Sequence, residues 1–326
     1  MEQSPLVSIL VPIYGVEEYI EKCVRSLFSQ SYTNIEYIFV NDCTKDNSIN
    51  VLKNIIIEYP HRKKCVKIIN HNVNKGLSAA RETALNNCSG DFVWHIDSDD
   101  WISESAVHRL VQKATAQNLD VVSFNVHEVT TQKTILRKHS EAETPRLMAK
   151  NQLLRLEPFV IWSFFLKKSL FNNIQFDTKI GFGEDWALTP RVISNAKTIG
   201  YIEDVCYYYN RLNINSYTAN IEDKSIISVL RAYDCLEEYF IEKEDNYYHD
   251  VVNGAKQNLY IHLLKMLISN KKLFDRIWRE LSSIDFSDKK YIQTFNKPIV
   301  FFVCHSFKNV TRIYIKLLDI VKQMKK

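Results

Sequence analysis

Three aspartates, Asp97, Asp99 and Asp100, lie within four residues directly after an apolar segment of the chain. Carboxylates packed so closely repel one another, which costs stability unless a cation or hydrogen-bond donors balance the charge. Mg²⁺ and Mn²⁺ prefer carboxylate and phosphate oxygens and commonly bind one or two carboxylates together with a substrate diphosphate. The cluster is therefore a candidate site for Mn²⁺ or Mg²⁺ and a diphosphate. A solvated acidic turn, with one aspartate capping a helix, is the alternative.

Asp42 and Arg81 are candidates for contacts with a nucleotide. Asp42 follows the apolar run 38–40 and precedes a polar loop. A carboxylate there can accept a hydrogen bond from the imide N–H of uracil, although Asn41-Asp42 is also ordinary turn chemistry. Arg81 lies near the start of a predicted helix, where its guanidinium could reach a phosphate or the base. A surface arginine is the alternative at that position.

Glu184 and Asp185 follow two glycines, Gly181 and Gly183. An acceptor hydroxyl needs a carboxylate within hydrogen-bond reach to take its proton, so the pair is a candidate general base. Acidic residues are also favoured at a helix N-terminus by the helix dipole. The two interpretations are compatible, and the sequence leaves both open.

Elements that would position these residues follow from the hydrophobic pattern of the first half. Strands are predicted at residues 6–11 (ended by Pro12), 35–40, 66–69, 92–96 and 120–129, and helices at 17–30, 46–57 (capped by Asp46), 77–87 and from Ser103. This alternation predicts an α/β fold with a mostly parallel sheet flanked by helices. Ligands bind such sheets outside the carboxyl ends of the strands. Tyr14, Asp42 and Asp97 all follow predicted strand ends, so we predict one shared site.

The alternation is weaker after residue 130. Residues 130–144 are polar and are predicted to form a surface excursion, whereas 199–209 form a late strand in which Tyr207 to Tyr209 are half-buried. His95 alternates with apolar neighbours and is predicted to be a core or near-site residue that binds no metal. After residue 220 only long helical patterns occur. We therefore predict a site-bearing domain at 1–220 and a C-terminal α-helical region at 221–326.

Composition limits the classes of function. Hydrophobic residues make up 46% of the 326 residues and charged residues 25%, which predicts a packed core. A net charge of +4 is mild, whereas a nucleic-acid-binding protein would have a more basic face, so no nucleic-acid partner is expected. The seven cysteines form no CxxC pair, which is typical of reduced thiols in a cytoplasmic protein.

Two features bear on membranes. The first residues lack a signal-peptide pattern, and the longest apolar run near the C-terminal end, Ile299 to Cys304, is too short to span a bilayer. Residues 308–326, however, carry six Lys or Arg against Asp319, with apolar residues between them (Ile313, Ile315, Leu317, Leu318, Ile320 and Val321). Such a helix could make a peripheral contact with the anionic inner face of the cytoplasmic membrane. A helix packed on the protein with a solvated basic side is the alternative.

Five segments, taken together, resemble the motifs of glycosyltransferase family 2. They occur in the family's order and at about its spacing over residues 6–218, at 7–14, 38–42, 74–81, 97–100 and 183–185. The resemblance implies a GT-A fold, which has a Rossmann-like sheet, and a nucleotide-diphosphate sugar donor, with inversion at the anomeric carbon. Residues 221–326 lie outside it.

The resemblance also implies roles on the nucleotide side. Pro12 and Tyr14 would line the base pocket, Asp42 would hold the uracil of a UDP-sugar, and Arg81 would support the nucleotide or its phosphates. The family often has two aspartates at the second strand end. Here Asn41 replaces the first of them, which leaves Asp42 in place but assigns no role to Asn41.

On the reacting side, Asp97-Ser98-Asp99 would be the DxD element. Asp99 would be the chief ligand of Mn²⁺ or Mg²⁺, with Asp97 beside it and nearer the ribose. Asp185 would be the general base, with Glu184 next to it.

The expected reaction is transfer of a single sugar to a saccharide or lipid-linked acceptor in surface polysaccharide biosynthesis, because the tryptophan motif and membrane spans of processive family members are missing. A catalytically inactive nucleotide-sugar-binding module is one alternative, against which the complete acidic set argues. A sugar nucleotidyltransferase is another, but it would need a glycine-rich loop after the first strand, where Gly15 is the single glycine. The donor sugar, the acceptor and the oligomeric state stay open.

Overall fold

The structure is a computed structural model that describes residues 4–139, 141–213, 223–243, 245–292 and 294–324, with the backbone alone at 223, 295 and 319–324. The chain divides into two compact units. The first comprises residues 1–152 and 157–221, and the second comprises 153–156 and 222–326. The predicted boundary at residue 220 lies outside the described residues.

A nine-stranded sheet forms the first unit, in the order β3-β2-β1-β4-β8-β6-β9-β5, with β7 paired to β6. Its strands are β1 Val7–Ile13, β2 Ile35–Asn41, β3 Val66–Asn70, β4 Phe92–His95, β5 Trp101–Ile102, β6 Val121–Val129, β7 Thr134–Arg137, β8 Phe164–Lys167 and β9 Ile199–Asn210. The helices of this unit are α1 Ile20–Phe28, α2 Ser48–Glu58, α3 Leu77–Asn86, α4 Ala106–Ala116, α5 Pro145–Leu153 (its last residue assigned to the second unit) and α6 Glu184–Ile193.

The half of the sheet made by β3, β2, β1 and β4 is parallel throughout, as predicted. Because β1 lies between β2 and β4, the chain reverses its direction of strand addition at β1, and such a switch point opens a crevice at the carboxyl ends of the strands. The other half is mixed, since β8, β7 and β5 run antiparallel to their neighbours. No local pattern predicts that β8 inserts between β4 and β6.

Pro12 does not end β1, contrary to the prediction. The strand continues to Ile13, with Pro12 opposite Val40 of β2. Proline cannot donate to a strand ladder and is tolerated at a free edge. That condition holds here, because β4 pairs with β1 only as far as His95 opposite Leu10.

Helix boundaries also differ from the predicted ones. The first helix begins at Ile20, not at residue 17, and buries Ile20, Cys23, Val24, Leu27 and Phe28. Asp46 is one residue outside the cap of α2, which is Asn47, although an Asp46 oxygen still accepts from Ser48 N at 3.2 Å.

The predicted surface excursion at 130–144 contains a strand that the sequence did not reveal, β7. Three of its four residues are exposed, so it carries no alternation of apolar and polar residues from which a strand could be predicted. It pairs with the end of β6, where Arg137 and Glu128 form an ion pair at 2.7 Å.

The second unit is helical over its described residues. Its helices are α7 Asp223–Glu242, α8 Asn246–Met266, α9 Lys271–Ser282, α10 Lys297–Cys304 and α11 Lys308–Met324. Among the residues that can be assessed, no helix is long and apolar enough to cross a membrane. The side chains of Ile320, Val321 and Lys322, and all of Lys325 and Lys326, lie outside the description.

Gly90, between α3 and β4, provides a test of how closely the parallel strands pack. A Cβ at this position would lie 2.5 Å from Ser8 Oγ and 2.8 Å from both Leu6 O and Ser8 N. Two of these neighbours are backbone atoms, Leu6 O just before β1 and Ser8 N within it, which cannot give way without disturbing the sheet. We expect Gly90→Ala to lower the free energy of unfolding by about 1–3 kcal/mol in urea titrations. Asn86→Ala, at an exposed position of α3, is the control, and equal stability of the two variants would contradict this packing.

Candidate active site

Arg81 connects three of the predicted motifs. Its guanidinium is 1% exposed. One terminal nitrogen donates to Asp97 Oδ1 at 2.9 Å, and the other donates to Asp185 Oδ1 at 2.6 Å and Glu184 Oε1 at 3.2 Å. The loop after β4, the middle of α3 and the start of α6 therefore meet at one cation, although their residues are far apart in the sequence.

The charges of this cluster do not balance. Burial alone would lower the pKa of Arg81, but Asp185, Asp97 and Glu184 raise it above its ordinary value, so the guanidinium stays charged. Burial raises the pKa of Asp185 to about 8, with Arg81 acting in the opposite direction and Glu184 and Asp97 adding to the rise. The pKa of Glu184 is raised by burial as well. With three carboxylates around one cation, the cluster favours the uptake of a proton or of positive charge.

Asp185 is held from two sides. It lies in the first turn of α6, whose N-cap is Gly183 in the left-handed conformation (φ +89°) that glycine adopts without strain. Its carboxylate accepts from the backbone N–H of Ile161 as well as from Arg81. These contacts fix the orientation of a carboxylate that is 12% exposed.

Asp99 and Asp100 have different environments. Asp100 is fully buried, accepts from Tyr207 Oη at 2.6 Å and from Asn210 N at 2.7 Å, and thus holds the loop against β9. Asp99 is half-buried and accepts from Asn213 Nδ2 at 2.9 Å. Burial and the neighbouring Asp97 raise the pKa of Asp99, and no cationic side chain of the described residues pairs with it.

The donor set of this loop fits a hard divalent cation. Over the described chain, no group of three or more His, Cys, Asp or Glu side chains is arranged to hold a metal. Asp97 and Asp99 can therefore supply two carboxylates at most. Mg²⁺ commonly takes one or two carboxylates and completes its shell with water and substrate phosphate. The unbalanced charge on Asp99 is the observation that favours a cation there.

Asp42 anchors the loop that leads into α3. It is 3% exposed. Oδ1 accepts from His71 Nδ1 at 2.7 Å and from Lys75 N at 2.8 Å, and Oδ2 accepts from Gly76 N at 2.8 Å. Its predicted contact with uracil stays a prediction, but the carboxylate lies at the end of β2 beside β1, because Asp42 N donates to Ile13 O at 3.0 Å.

The other predicted nucleotide contacts differ in accessibility. Tyr14, just past β1, is 52% exposed, so its ring is available to a ligand. Pro12 is buried within β1, and Ser98 is buried in the loop after β4. The structure thus leaves Tyr14 as the accessible side chain of the three.

Several residues around the site were not predicted from the sequence to contribute to it. Tyr207 lies in a strand as predicted, but it is fully buried and not half-buried. Its hydroxyl accepts from Asp97 N at 3.2 Å while donating to Asp100. Asn210 and Asn213 hold Asp99 through its carbonyl and its carboxylate. These partners are more than a hundred residues from the aspartates, so no local pattern could have indicated them.

His95 is a buried, neutral neighbour of the site. Burial, and then the charge of Arg81, lower its pKa to about 3. Its ring packs 5.9 Å from that of Phe171, and neither ring nitrogen has a hydrogen-bond partner among the described residues. Arg81 Nε is also buried without a hydrogen-bond partner among the described residues. The prediction that His95 is a core or near-site residue agrees with this position.

These features define a Rossmann-like α/β enzyme whose acidic site lies at the carboxyl ends of parallel strands. The model of the family described as "Glycosyl transferase family 2" matches residues 8–175. The chain belongs to this family of glycosyltransferases, as its five motifs indicated.

Two relatives illustrate the match. The uncharacterized glycosyltransferase EpsJ of Bacillus subtilis is 31% identical over 280 residues, which cover 82% of this chain and 78% of EpsJ. The poly(ribitol-phosphate) beta-N-acetylglucosaminyltransferase TarS of Staphylococcus aureus is 28% identical over 206 residues, which cover 62% of this chain and 35% of TarS. The match thus spans only about a third of the second protein.

Solved structures confirm the predicted GT-A fold. S. aureus TarS 1-349 in complex with UDP-GlcNAc superposes with a TM-score of 0.73 at 17% identity, covering 95% of this chain and 90% of that one. The mannosyltransferase PcManGT from Pyrobaculum calidifontis, in complex with GDP-Man and Mn²⁺, gives 0.51 at 13% identity, covering 100% and 89%.

Removal of the Arg81 charge tests the cluster. In Arg81→Met the carboxylates of Asp97, Glu184 and Asp185 lose their buried counter-ion, and we expect a loss of about 3–5 kcal/mol in the free energy of unfolding near neutral pH. The loss should grow with pH. Without the guanidinium, burial raises the pKa of these carboxyl groups in the folded chain above its value in the unfolded chain. Such a group stabilises the fold fully at a pH below its unfolded-state pKa. This stabilisation is lost as the pH rises through the folded-state pKa.

Urea titrations at about pH 5 and about pH 8.5 measure this dependence. Arg25→Met is the matched control, because Arg25 also contacts two carboxylates, those of Glu21 and Glu58, but lies at the surface. An exposed pair contributes at most about 1 kcal/mol. Similar losses for the two arginines, or a loss for Arg81→Met that does not depend on pH, would refute the buried cluster.

Proposed function

We propose that this glycosyltransferase transfers a single sugar from a UDP-sugar to a hydroxyl group of a saccharide or lipid-linked acceptor, with inversion at the anomeric carbon. The observation that carries the proposal is the meeting of Asp97, Glu184 and Asp185 at Arg81. This contact brings the candidate base and the candidate diphosphate loop to one place. An inactive nucleotide-sugar-binding module would not need a buried, oriented carboxylate beside that loop.

In the proposed reaction Asp185 takes the proton of the acceptor hydroxyl. The acceptor oxygen forms a bond to the anomeric carbon as the bond from that carbon to the diphosphate oxygen breaks, and the electron pair leaves with UDP. A base acts best when its pKa lies near the working pH, and burial raises the pKa of Asp185 into that range. Glu184, which is more exposed, lies beside it and faces the same guanidinium.

A Mn²⁺ or Mg²⁺ ion held by Asp99 and Asp97 would neutralise the charge of the departing diphosphate. The support for this assignment is the half-buried carboxylate of Asp99, which accepts from Asn213 but pairs with no cationic side chain in the part of the chain that the structure describes. Asp100 is not proposed as a ligand, because Tyr207 and Asn210 already occupy its oxygens.

Arg81 is proposed as a positioning residue. Both terminal nitrogens already donate to carboxylates, so we propose that it supports the nucleotide indirectly, by fixing Asp97 at the predicted ribose side. It orients Asp185 through the same guanidinium. A direct contact with phosphate would require Arg81 to give up one of these ion pairs.

The proposed donor is a UDP-sugar. Three N–H groups donate to Asp42, which leaves one lone-pair site on Oδ2 for the imide N–H of uracil. The exposed Tyr14 follows β1, the strand that pairs with β2. The TarS complex with UDP-GlcNAc supports this choice by likeness of fold.

The name of TarS, which specifies poly(ribitol-phosphate), supports a role for this chain in surface polysaccharide synthesis. A cytoplasmic location is proposed from the seven cysteines, none of which is paired in a disulfide.

Replacement of the proposed base should separate chemistry from binding. We expect Asp185→Asn to lower kcat by about 10²–10⁴-fold, because the proton acceptor is lost, while the Kd for the donor changes little. In the wild-type enzyme kcat/KM should rise as the pH rises through about 8, because the carboxyl group must be ionised to act and its pKa is raised to that value.

The measurement is release of UDP in the presence of Mn²⁺ across a panel of UDP-sugars and saccharide acceptors. Asp234→Asn, an exposed aspartate of α7, is the control and should keep wild-type turnover. Glu184→Gln should retain the rise with pH. Unchanged turnover in Asp185→Asn would remove this residue from the role of base.

Replacement of the proposed metal ligand should instead affect donor binding. We expect Asp99→Ala to weaken binding of UDP in the presence of Mn²⁺ by at least about tenfold, and to make that binding insensitive to a chelator. Calorimetric titrations of wild type and variant, each with Mn²⁺ and with EDTA, measure both effects. Asp234→Ala serves as the control. Equal, Mn²⁺-dependent affinities in wild type and Asp99→Ala would sink the assignment.

A further inference from the structure

The second unit exposes a concentrated set of apolar side chains, which we call the apolar patch. It consists of Phe301, Phe307, Val310, Ile313 and Leu317, each 45–60% exposed. Five of the thirteen exposed large hydrophobic residues of the described chain thus fall within 17 residues, whereas the other eight are scattered. Single exposed apolar residues are ordinary, but a contiguous patch marks a binding surface.

The patch comprises two aromatic residues near the end of α10 and three aliphatic residues on α11. The ring of Phe301 lies 4.2 Å from that of His305, which lies 6.0 Å from that of Phe307. Val310, Ile313 and Leu317 follow at intervals of three and four residues, which places them on one face of α11.

The inner faces of these two helices are already filled. Val303 and Ile315 are buried, and the rings of Phe302 and Tyr314 lie 5.8 Å apart where α10 packs on α11. The residues of the apolar patch are therefore not needed for the packing of α10 on α11. The sequence left two alternatives open for this segment, a helix packed on the protein and a helix in contact with a membrane. Ile315 is buried, as in a packed helix, whereas Ile313 and Leu317 face outward.

Two exposed lysines border the patch, whereas Lys308 is in an ion pair with Asp275 and the half-buried Arg312 donates to Ile268 O. Residues 297–326 contain seven lysines and arginines against one aspartate, Asp319. Lys297 and Lys316 are exposed, and Lys316 directly precedes Leu317 of the patch. Apolar side chains bordered by lysines match the boundary between acyl chains and anionic headgroups, where each basic residue adds attraction. Self-association through this face would instead bring like charges together.

We propose that α10 and α11 dock on an anionic phospholipid bilayer, with the apolar patch at the boundary between headgroups and acyl chains and the lysines against headgroup phosphates. The proposed contact is peripheral. Within the described residues, neither helix is long and apolar enough to cross a membrane. This inference concerns the second unit alone and does not depend on the donor or the base proposed above. It adds a surface at which lipid-linked molecules are concentrated.

Sedimentation of the full chain with vesicles tests the proposal. The probes are vesicles of phosphatidylglycerol and phosphatidylcholine, and vesicles of phosphatidylcholine alone. We expect the wild type to sediment with the anionic vesicles, to sediment less at high salt, and to bind the neutral vesicles weakly. Ile313→Ser combined with Leu317→Ser should reduce binding to the anionic vesicles by at least about tenfold, because two apolar anchors are lost.

The matched control is Ile227→Ser, since Ile227 is a 55% exposed isoleucine of α7 in the same unit. It should bind as the wild type does. Thermal unfolding followed by circular dichroism verifies that each variant is folded, and Lys316→Glu, which leaves the patch intact, provides a second variant that should also weaken binding.

Three results would overturn the proposal. The first is a wild type that does not sediment with anionic vesicles. The second is a folded double variant that binds as the wild type does. The third is a wild-type dimer, seen by analytical ultracentrifugation without vesicles, that the double variant converts to a monomer; that result would assign the patch to a second copy of the chain. Because vesicle binding is measured without substrate, these outcomes are distinct from a failure of the proposed sugar transfer.

Discussion

The site depends on one buried cation. Arg81 is enclosed by three carboxylates that belong to three different segments of the chain. Removing charged groups from water is costly, and the cost is recovered only when geometry and hydrogen bonding are good. The first unit meets this condition by packing α3 between the loop after β4 and the start of α6. The acidic residues therefore stay close together despite their repulsion, and the residual negative charge falls where a nucleotide-sugar enzyme would need a cation or a proton.

The sheet explains why these residues meet. The parallel strands β1, β2 and β4 place Tyr14, Asp42 and Asp97 at the same edge, and this arrangement was predictable because each residue follows an apolar run. The order of the five motifs predicted the family because each motif can also be read from a short segment of the sequence. What carried the prediction was local: short segments whose pattern is complete within about ten residues.

The remainder was not predictable because it depends on distant contacts. Tyr207 and Asn210, more than a hundred residues further along the chain, secure Asp100. Arg81 was predicted to face a nucleotide, and nothing in its own helix indicated that three acids would surround it. Asp42 likewise satisfies loop N–H groups that the sequence could not assign to it. Residue types indicated the chemistry, but the hydrogen-bond partners that set their charge came from tertiary structure.

The anchoring of α3 has a further consequence. Asp42 fastens the N-terminus of α3 through Lys75 N and Gly76 N, and His71 links the same carboxylate to Thr83, nearly two turns into the helix. Arg81 lies between these two attachment points. The N-terminus of α3 is thus fixed at the Asp42 carboxylate, and the same helix places the Arg81 guanidinium at the acidic cluster. Because Arg81 contacts Asp185, the position of the Asp185 carboxylate depends on the Asp42 loop, which holds α3, as well as on α6.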